Sequence, residues 1–196
     1  MSVKVKICGI RNIQAARVAI QAGADFLGFN FVQSSKRYIN PVAALEIINL
    51  IRGEVKIVGV FQDAEISEVN RIASELKLDF VQLHGQENTE YIEKVKVSVI
   101  KAIKENYQPD KINAKYFLLD RHKRGQGEMV DLEKANVLAA DLPLFYAGGL
   151  TPDNVATIIK KVNPFAVDVA SGIETDHYQD TKKIKLFIRN AKGVNL

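Results

Sequence analysis

Residues 56–84 read KIVGVFQDAEISEVNRIASELKLDFVQLH, and both ends of this stretch are short apolar runs of the kind that form buried strands. Between them, apolar residues recur at spacings of three and four, which is typical of an amphipathic helix. These residues are Ile66, Val69, Ile72, Ala73 and Leu76. Because a helix-sized crossover joins two fully apolar strands, the strands are expected to lie parallel in one covered sheet. The stretch predicts a strand–helix–strand unit of an α/β fold.

The same alternation runs along the whole chain. Apolar runs predict strands at Val3–Cys8, Phe26–Phe31, Lys56–Phe61, Phe80–His84, Val99–Ile103, Tyr116–Asp120, Leu144–Ala147 and Ala166–Ala170. Asn40-Pro41 and Thr151-Pro152 mark helix starts, because a capping side chain precedes a proline at the first helical position. Residues 104–115 carry Pro109 and little periodicity, so they predict a loop or a single turn.

Two architectures satisfy this pattern. One is a doubly wound open sheet of about five or six strands, and the other is a closed (β/α)8 barrel. Eight repeats in 196 residues favour the barrel, near the short end of its size range. No linker or shift in composition divides the chain. Residues 1–196 are therefore predicted to form a single compact (β/α)8 TIM barrel domain with a short or missing fifth helix.

The composition narrows the function classes. With 27 Lys+Arg against 23 Asp+Glu, the formal charge of +4 suits an anionic small molecule. A single cysteine excludes an internal disulfide, and the histidines at 84, 122 and 177 lack metal-site spacing, so no metal is expected. Short charge runs, no Trp and no long apolar segment argue against nucleic acid and membrane partners and for a cytoplasmic location. A G-x-G-x-x-G fingerprint is absent, and no cofactor is expected.

Polar residues interrupt the apolar runs where the predicted strands end. In a parallel barrel these ends meet at one mouth, which is where active sites lie. The last two strands are followed by small residues: Gly148, Gly149, Ser171 and Gly172. Such loops let backbone N–H groups approach an anion, and in these barrels they commonly hold a phosphate. The alternative is that the glycines only form tight turns.

Cys8 ends the first predicted strand, and Lys6 lies two residues earlier on the same face. A lone cysteine on a strand is more often a small buried hydrophobe than a reactive thiol. A nearby ammonium would favour the thiolate and make Cys8 a competent base or nucleophile. Lys6 could instead form a structural ion pair with Asp168, and our hypothesis is that both are true.

Three further residues follow strands at the same mouth. Asp120 ends an apolar run with no packing reason to be there, so it is either a cap or a general acid or base facing Cys8. Arg37 offers a fork for a carboxylate, and His84 could assist; each could also be a plain surface or core residue. Gly125 and Gly127 suggest a lid loop.

Short motifs at these strand ends follow the order found in a known family. They are Lys6-Ile7-Cys8-Gly9-Ile10, Ser35-Lys36-Arg37-Tyr38, Val81-Gln82-Leu83-His84-Gly85, Leu118-Leu119-Asp120, Ala147-Gly148-Gly149-Leu150, Val167-Asp168-Val169 and Ser171-Gly172. The sequence resembles the phosphoribosylanthranilate isomerase family of tryptophan biosynthesis over essentially its whole length. Two departures are Arg11, where the family usually has Thr, and the segment around Arg124 and Leu132, where its lid motif is altered.

The resemblance implies a cofactor-free Amadori rearrangement of a phosphorylated ribosyl-anthranilate to its 1-deoxyribulose 5-phosphate isomer. It implies that Cys8 is the general base at ribose C2′ and that Asp120 is the general acid at the ring oxygen. Arg37 would hold the anthranilate carboxylate, and Asp168 and His84 would line the site. The Gly148-Gly149 and Ser171-Gly172 loops would bind phosphate. The chain is expected to act as a monomer or a homodimer.

Three competing interpretations stay open. A ribulose-phosphate epimerase would need metal-ligand histidines at several strand ends, and only His84 is in such a position. The analogous histidine-pathway isomerase would have an aspartate where this chain has Cys8. A non-catalytic sensor of phosphorylated metabolites would keep the glycine loops without needing Cys8 and Asp120 to face each other.

Overall fold

A computed structural model describes residues 3–104, 106–107, 112–120 and 131–194 of the chain. Eight parallel strands form a closed barrel in sequence order, with β1 paired to β8. The strands are β1 Lys4–Cys8, β2 Phe26–Asn30, β3 Lys56–Phe61, β4 Phe80–Leu83, β5 Ser98–Ile103, β6 Tyr116–Leu119, β7 Leu144–Tyr146 and β8 Ala166–Val169. Closure through β1 and β8 confirms the predicted TIM barrel and excludes the open sheet. Every predicted strand end lies within one residue of the observed one.

Helices surround the barrel. In the described residues they are α1 Ile13–Ala22, α2 Pro41–Ile51, α3 Ile66–Glu75, α4 Thr89–Glu93, α5 Leu132–Asp141, α6 Val155–Val162 and α7 Thr181–Lys192. No helix occurs between β5 and β6 among residues 104, 106–107 and 112–115, in line with the predicted short or missing fifth helix. A short hairpin, β9 Glu174–Thr175 and β10 Tyr178–Gln179, follows β8 and precedes α7. In the part of the chain that the structure describes, no helix is long and apolar enough to cross a membrane.

The predicted start of the helix after β7 is corrected by the structure. Residues 152–154 form a turn, and α6 begins only at Val155. The reason is Asn154, whose side chain points back into the loop. Its Oδ1 accepts from the backbone N–H of Thr151 at 2.8 Å, and its Nδ2 donates to the carbonyl of Gly149 at 2.9 Å. These two bonds fix the loop between β7 and α6.

The lower part of the barrel interior is filled by aromatic rings. Phe26 packs edge-to-face on Phe80 and Phe145, with ring centroids 5.8 and 5.2 Å apart. Tyr116 stacks on Phe165 at 4.8 Å. These rings fill the end of the barrel interior where the strands begin.

Candidate active site

Lys6 and Asp168 form an ion pair inside the barrel, where β1 and β8 meet. The Nζ of Lys6 lies 3.0 Å from both carboxylate oxygens of Asp168, and Lys6 is fully buried. Burial disfavours the charged ammonium, but Asp168 and Cys8 together outweigh this effect, so the pKa of Lys6 is raised. The predicted ion pair is confirmed. Because Lys6 has no exposed surface, it can act on a ligand only through Asp168 and Cys8.

Cys8 lies at the end of β1, directly above Lys6, and only 9% of it is exposed. Gly28 on β2 leaves room for it, since a Cβ there would lie 2.9 Å from the Cys8 Sγ. Burial raises the pKa of the Cys8 thiol, and the Lys6 ammonium offsets only part of that increase. Lys6 therefore lowers the pKa of Cys8, as expected from the sequence. Burial raises that pKa by more, so the neutral thiol is favoured.

His84 links two polar groups across the mouth. It follows β4, and its Nδ1 lies 3.1 Å from the Nε2 of Gln82. An amide nitrogen can only donate, so Nδ1 accepts and the ring proton is on Nε2. That Nε2 lies 3.3 Å from the Oδ2 of Asp120, the residue that follows β6. Gln82, His84 and Asp120 thus form a row of polar side chains in contact.

Gln82 is a further site residue, beyond those predicted from the sequence. It lies on β4, is 2% exposed, and its Oε1 is buried with no hydrogen-bond partner among the described residues. A buried carbonyl oxygen without a donor is costly, and such groups often meet a ligand. Gln82 could have been recognised from the sequence as a polar residue two positions after Phe80, on the same inward face of an otherwise apolar strand.

Arg37 is buried at the same mouth but is already engaged. Its Nε and Nη2 donate to the two carboxylate oxygens of Glu174, each at 2.7 Å. Burial disfavours the charged guanidinium, but Glu174, together with Cys8 and Asp168, outweighs this effect, so the pKa of Arg37 is raised. No sequence pattern singles out Glu174, because it begins a short hairpin without apolar periodicity.

The two small-residue loops after β7 and β8 touch each other. Gly148 and Gly149 have φ values of +81° and +73°, which side chains rarely adopt. A Cβ at Gly172 would lie 1.9 Å from the carbonyl oxygen of Leu150, so the loops approach as closely as glycine allows. Within the described residues, no group accepts a hydrogen bond from the backbone N–H of Gly149, Ser171 or Gly172. These donors suit an anion.

The remaining predicted features lie elsewhere or outside the described residues. Gly125 and Gly127, the predicted lid glycines, belong to residues 121–130 and are not described. In the described ranges, no group of three or more His, Cys, Asp or Glu side chains could hold a metal ion. The other predicted site residues all lie at the carboxyl end of the barrel. They are Lys6, Cys8, Arg37, His84, Asp120, Asp168 and the two glycine loops.

Comparison with known proteins agrees with this arrangement. A family model described as N-(5′-phosphoribosyl)anthranilate isomerase matches residues 5–190. An N-(5′-phosphoribosyl)anthranilate isomerase of Geobacter sp. strain M21 is 43% identical over 204 residues, covering 98% of this chain and 99% of the relative.

Solved structures give the same result. Monomers generated from the dimeric phosphoribosylanthranilate isomerase of Thermotoga maritima align with a TM-score of 0.86 and 37% identity, covering 98% of this chain and 100% of theirs. A phosphoribosylanthranilate isomerase in complex with reduced 1-(o-carboxyphenylamino)-1-deoxyribulose 5-phosphate aligns with a TM-score of 0.83 and 36% identity, with the same coverage. The chain therefore belongs to the N-(5′-phosphoribosyl)anthranilate isomerase family.

Proposed function

We propose that this protein isomerises N-(5-phosphoribosyl)anthranilate to 1-(2-carboxyphenylamino)-1-deoxyribulose 5-phosphate in tryptophan biosynthesis, by general acid–base catalysis. One observation carries the mechanism. A buried thiol beside the Lys6–Asp168 pair and a carboxyl group held by His84 lie at the same barrel mouth. The reaction moves protons between neighbouring atoms without a net change in oxidation state. One general acid and one general base can therefore carry it out, and Asp120 and Cys8 are groups of these two types.

The first step opens the ribose ring. Asp120, in its protonated form, gives a proton to the ring oxygen while the bond from that oxygen to C1′ breaks. The lone pair of the anthranilate nitrogen forms the C1′=N bond of a protonated Schiff base. The Nε2–H of His84 faces the Asp120 carboxylate that is left behind and stabilises it by a hydrogen bond.

The second step moves a proton from C2′. The Cys8 thiolate takes the C2′ proton, and the electrons of that bond form C1′=C2′ while the C1′=N electrons return to nitrogen. The neutral enaminol then becomes the ketone when its O2′ proton is lost and C1′ gains a proton. Lys6 stabilises the thiolate that this step consumes, since its ammonium lowers the pKa of Cys8 against the effect of burial.

Binding of the substrate uses the rest of the mouth. The N–H groups of Gly149, Ser171 and Gly172, which have no acceptor in the described part of the chain, would hold the phosphate, and Arg37 would bind the ring carboxylate. The Oε1 of Gln82 is placed to accept from a hydroxyl or N–H of the substrate, because it is a buried acceptor without a donor among the described residues and lies on β4 beside His84. The lid role of Gly125 and Gly127 stays a prediction.

The test is the loss of substrate fluorescence, followed for the wild type, Cys8→Ala and Asp120→Asn. Losing either proton-transfer group should lower kcat by about 10²–10⁴-fold. Asp141→Asn, at the exposed end of α5, serves as a carboxylate control and should retain full activity. Equal kcat in Cys8→Ala, Asp120→Asn and the wild type would contradict the mechanism. Turnover of the corresponding histidine-pathway substrate, measured in parallel, would reveal a second activity.

Two coarser predictions accompany the function. A cytoplasmic location follows from the reaction's place in amino-acid synthesis, and fractionation of the native host would test it. A monomer and a homodimer are both compatible with the fold, and one relative is named as dimeric. Sedimentation of the purified protein at several concentrations distinguishes them.

A further inference from the structure

The Arg37 guanidinium has two edges on which a carboxylate can bind with two hydrogen bonds. One is formed by Nε and one N–H of Nη2, and the other by Nη1 and the second N–H of Nη2. Glu174 occupies the first edge through two bonds of 2.7 Å. Within the described residues Nη1 donates no hydrogen bond, so the second edge is the one left for a ligand.

Glu174 is itself held firmly. It begins the β9–β10 hairpin, and its backbone carbonyl accepts from the Nζ of Lys183 on α7 at 2.8 Å. At the other end of the hairpin, the Nε2 of Gln179 donates to the carbonyl of Gly9 at 2.8 Å. A Cβ at Gly9 would lie 2.7 Å from the Cδ of Arg37, so the stem of Arg37 packs against this backbone. The hairpin thus fixes both the carboxylate and the surface on which Arg37 lies.

Arg11 connects this hairpin to the loop that carries Arg37. Its Nη1 donates to the carbonyl of Lys36 at 3.1 Å, and its Nη2 donates to the carbonyl of His177 in the hairpin. Its guanidinium carbon lies 5.6 Å from the centre of the Tyr178 ring, within the range of a cation–π contact.

We propose that Glu174 is a positioning residue that presents the Nη1–Nη2 edge of Arg37 to the ring carboxylate of the substrate, and that Arg11 ties the two loops together for this purpose. The inference rests on the proposed function and deepens it. Without Glu174, the Arg37 side chain would lose its preferred orientation and hold the carboxylate less well. The phosphate end of the substrate would be unaffected.

Calorimetric binding of two probes to the full chain tests this. One probe is reduced 1-(o-carboxyphenylamino)-1-deoxyribulose 5-phosphate, and the other is the same molecule without its ring carboxylate. Glu174→Ala should raise the Kd of the carboxylated probe about 10- to 100-fold, the range of a lost charge-assisted contact, and that of the second probe less than about twofold. Arg11→Thr should raise only the first Kd, by about two- to fivefold, because Arg11 is only partly buried and its bond to the Lys36 carbonyl is exposed to solvent.

The direction in which Glu174→Ala changes the Kd in an Arg37→Ala background separates a positioning role from a structural one. There Glu174 is a buried carboxylate without its partner, facing an anionic ligand, so adding Glu174→Ala should leave the Kd of the carboxylated probe unchanged or lower it. Glu54→Ala, which removes an exposed Arg17–Glu54 pair elsewhere, is the matched control and should change neither Kd.

The other possible outcomes contradict either the role proposed for Glu174 or the proposed function. Equal weakening of both probes by Glu174→Ala, or additive weakening in the Arg37→Ala background, would mean that Glu174 only supports the fold and would overturn the inference. Equal wild-type affinity for both probes would overturn the inference and leave the proposed function standing. If the wild type binds neither probe, the proposed function fails and the inference fails with it.

Discussion

The lower and upper layers of the barrel interior come from the same strands and the same inward face, yet their chemistry is opposite. Moving two residues along a strand moves one layer up, because side chains alternate between faces. The pairs are Phe26 and Gly28 on β2, Phe80 and Gln82 on β4, and Ala166 and Asp168 on β8. The lower layer consists mainly of packed aromatic and aliphatic side chains, and the upper layer contains the charged residues Lys6 and Asp168.

The difference shows how the molecule separates stability from chemistry. The lower rings contribute apolar burial and need no partner. The upper layer contains a fully buried lysine, which is tolerable only while Asp168 neutralises it. Changes in the two layers should therefore have different consequences for catalysis even where they cost the same stability.

The largest expected effect is that of Asp168→Asn. It leaves the Lys6 ammonium buried without its carboxylate, so the free energy of unfolding should fall by about 3–5 kcal/mol, and turnover should fall with it. Urea unfolding and the fluorescence assay measure the two effects. The double variant Lys6→Met with Asp168→Leu should be more stable than Asp168→Asn alone. If it is less stable, the buried ammonium without its carboxylate is not what destabilises Asp168→Asn.

Phe145→Ala tests the lower layer. Removing this fully buried ring should also lower the free energy of unfolding by about 3–5 kcal/mol, through lost burial and the cavity left behind. At a temperature where the variant is folded, kcat should stay close to the wild-type value, because the ring packs against Phe26, Tyr116 and Phe165 in the lower layer. A large drop in kcat at full folding would show that the two layers are not separable.

The pH dependence of Cys8 gives a smaller but directional effect. Burial raises the pKa of this thiol, so the thiolate forms only above the usual range for a cysteine. Alkylation should therefore speed up about tenfold per pH unit through neutral pH and level off only in alkaline solution. Because Cys8 is the one cysteine of the chain, alkylation reports on it alone. Lys6→Met should move the plateau to still higher pH; a shift to lower pH would mean that Lys6 does not support the thiolate.

Gln82→Leu should have the smallest effect. The change removes a buried acceptor that has no donor among the described residues, so stability should change by less than about 1 kcal/mol. If the Oε1 meets the substrate, KM should rise by about three- to tenfold, the worth of one neutral hydrogen bond. An unchanged KM would assign Gln82 only to orienting His84.

The barrel could be predicted from the sequence because its strands are apolar runs and its helices carry apolar stripes, as residues 56–84 illustrate. Cys8 and Asp120 could be singled out because each ends such a run. Glu174 could not, since its partner Arg37 lies 137 positions away and no periodicity marks the hairpin. The start of α6 was also missed, because Asn154 turns back to bond the loop instead of continuing the helix.

The contact between Gly172 and the Leu150 carbonyl has a consequence for engineering. Because the backbones of the two loops are in direct contact, replacing one loop without the other would disturb both. Grafting this anion cradle onto another barrel would require transplanting both loops together, with Asn154 to hold the first in shape.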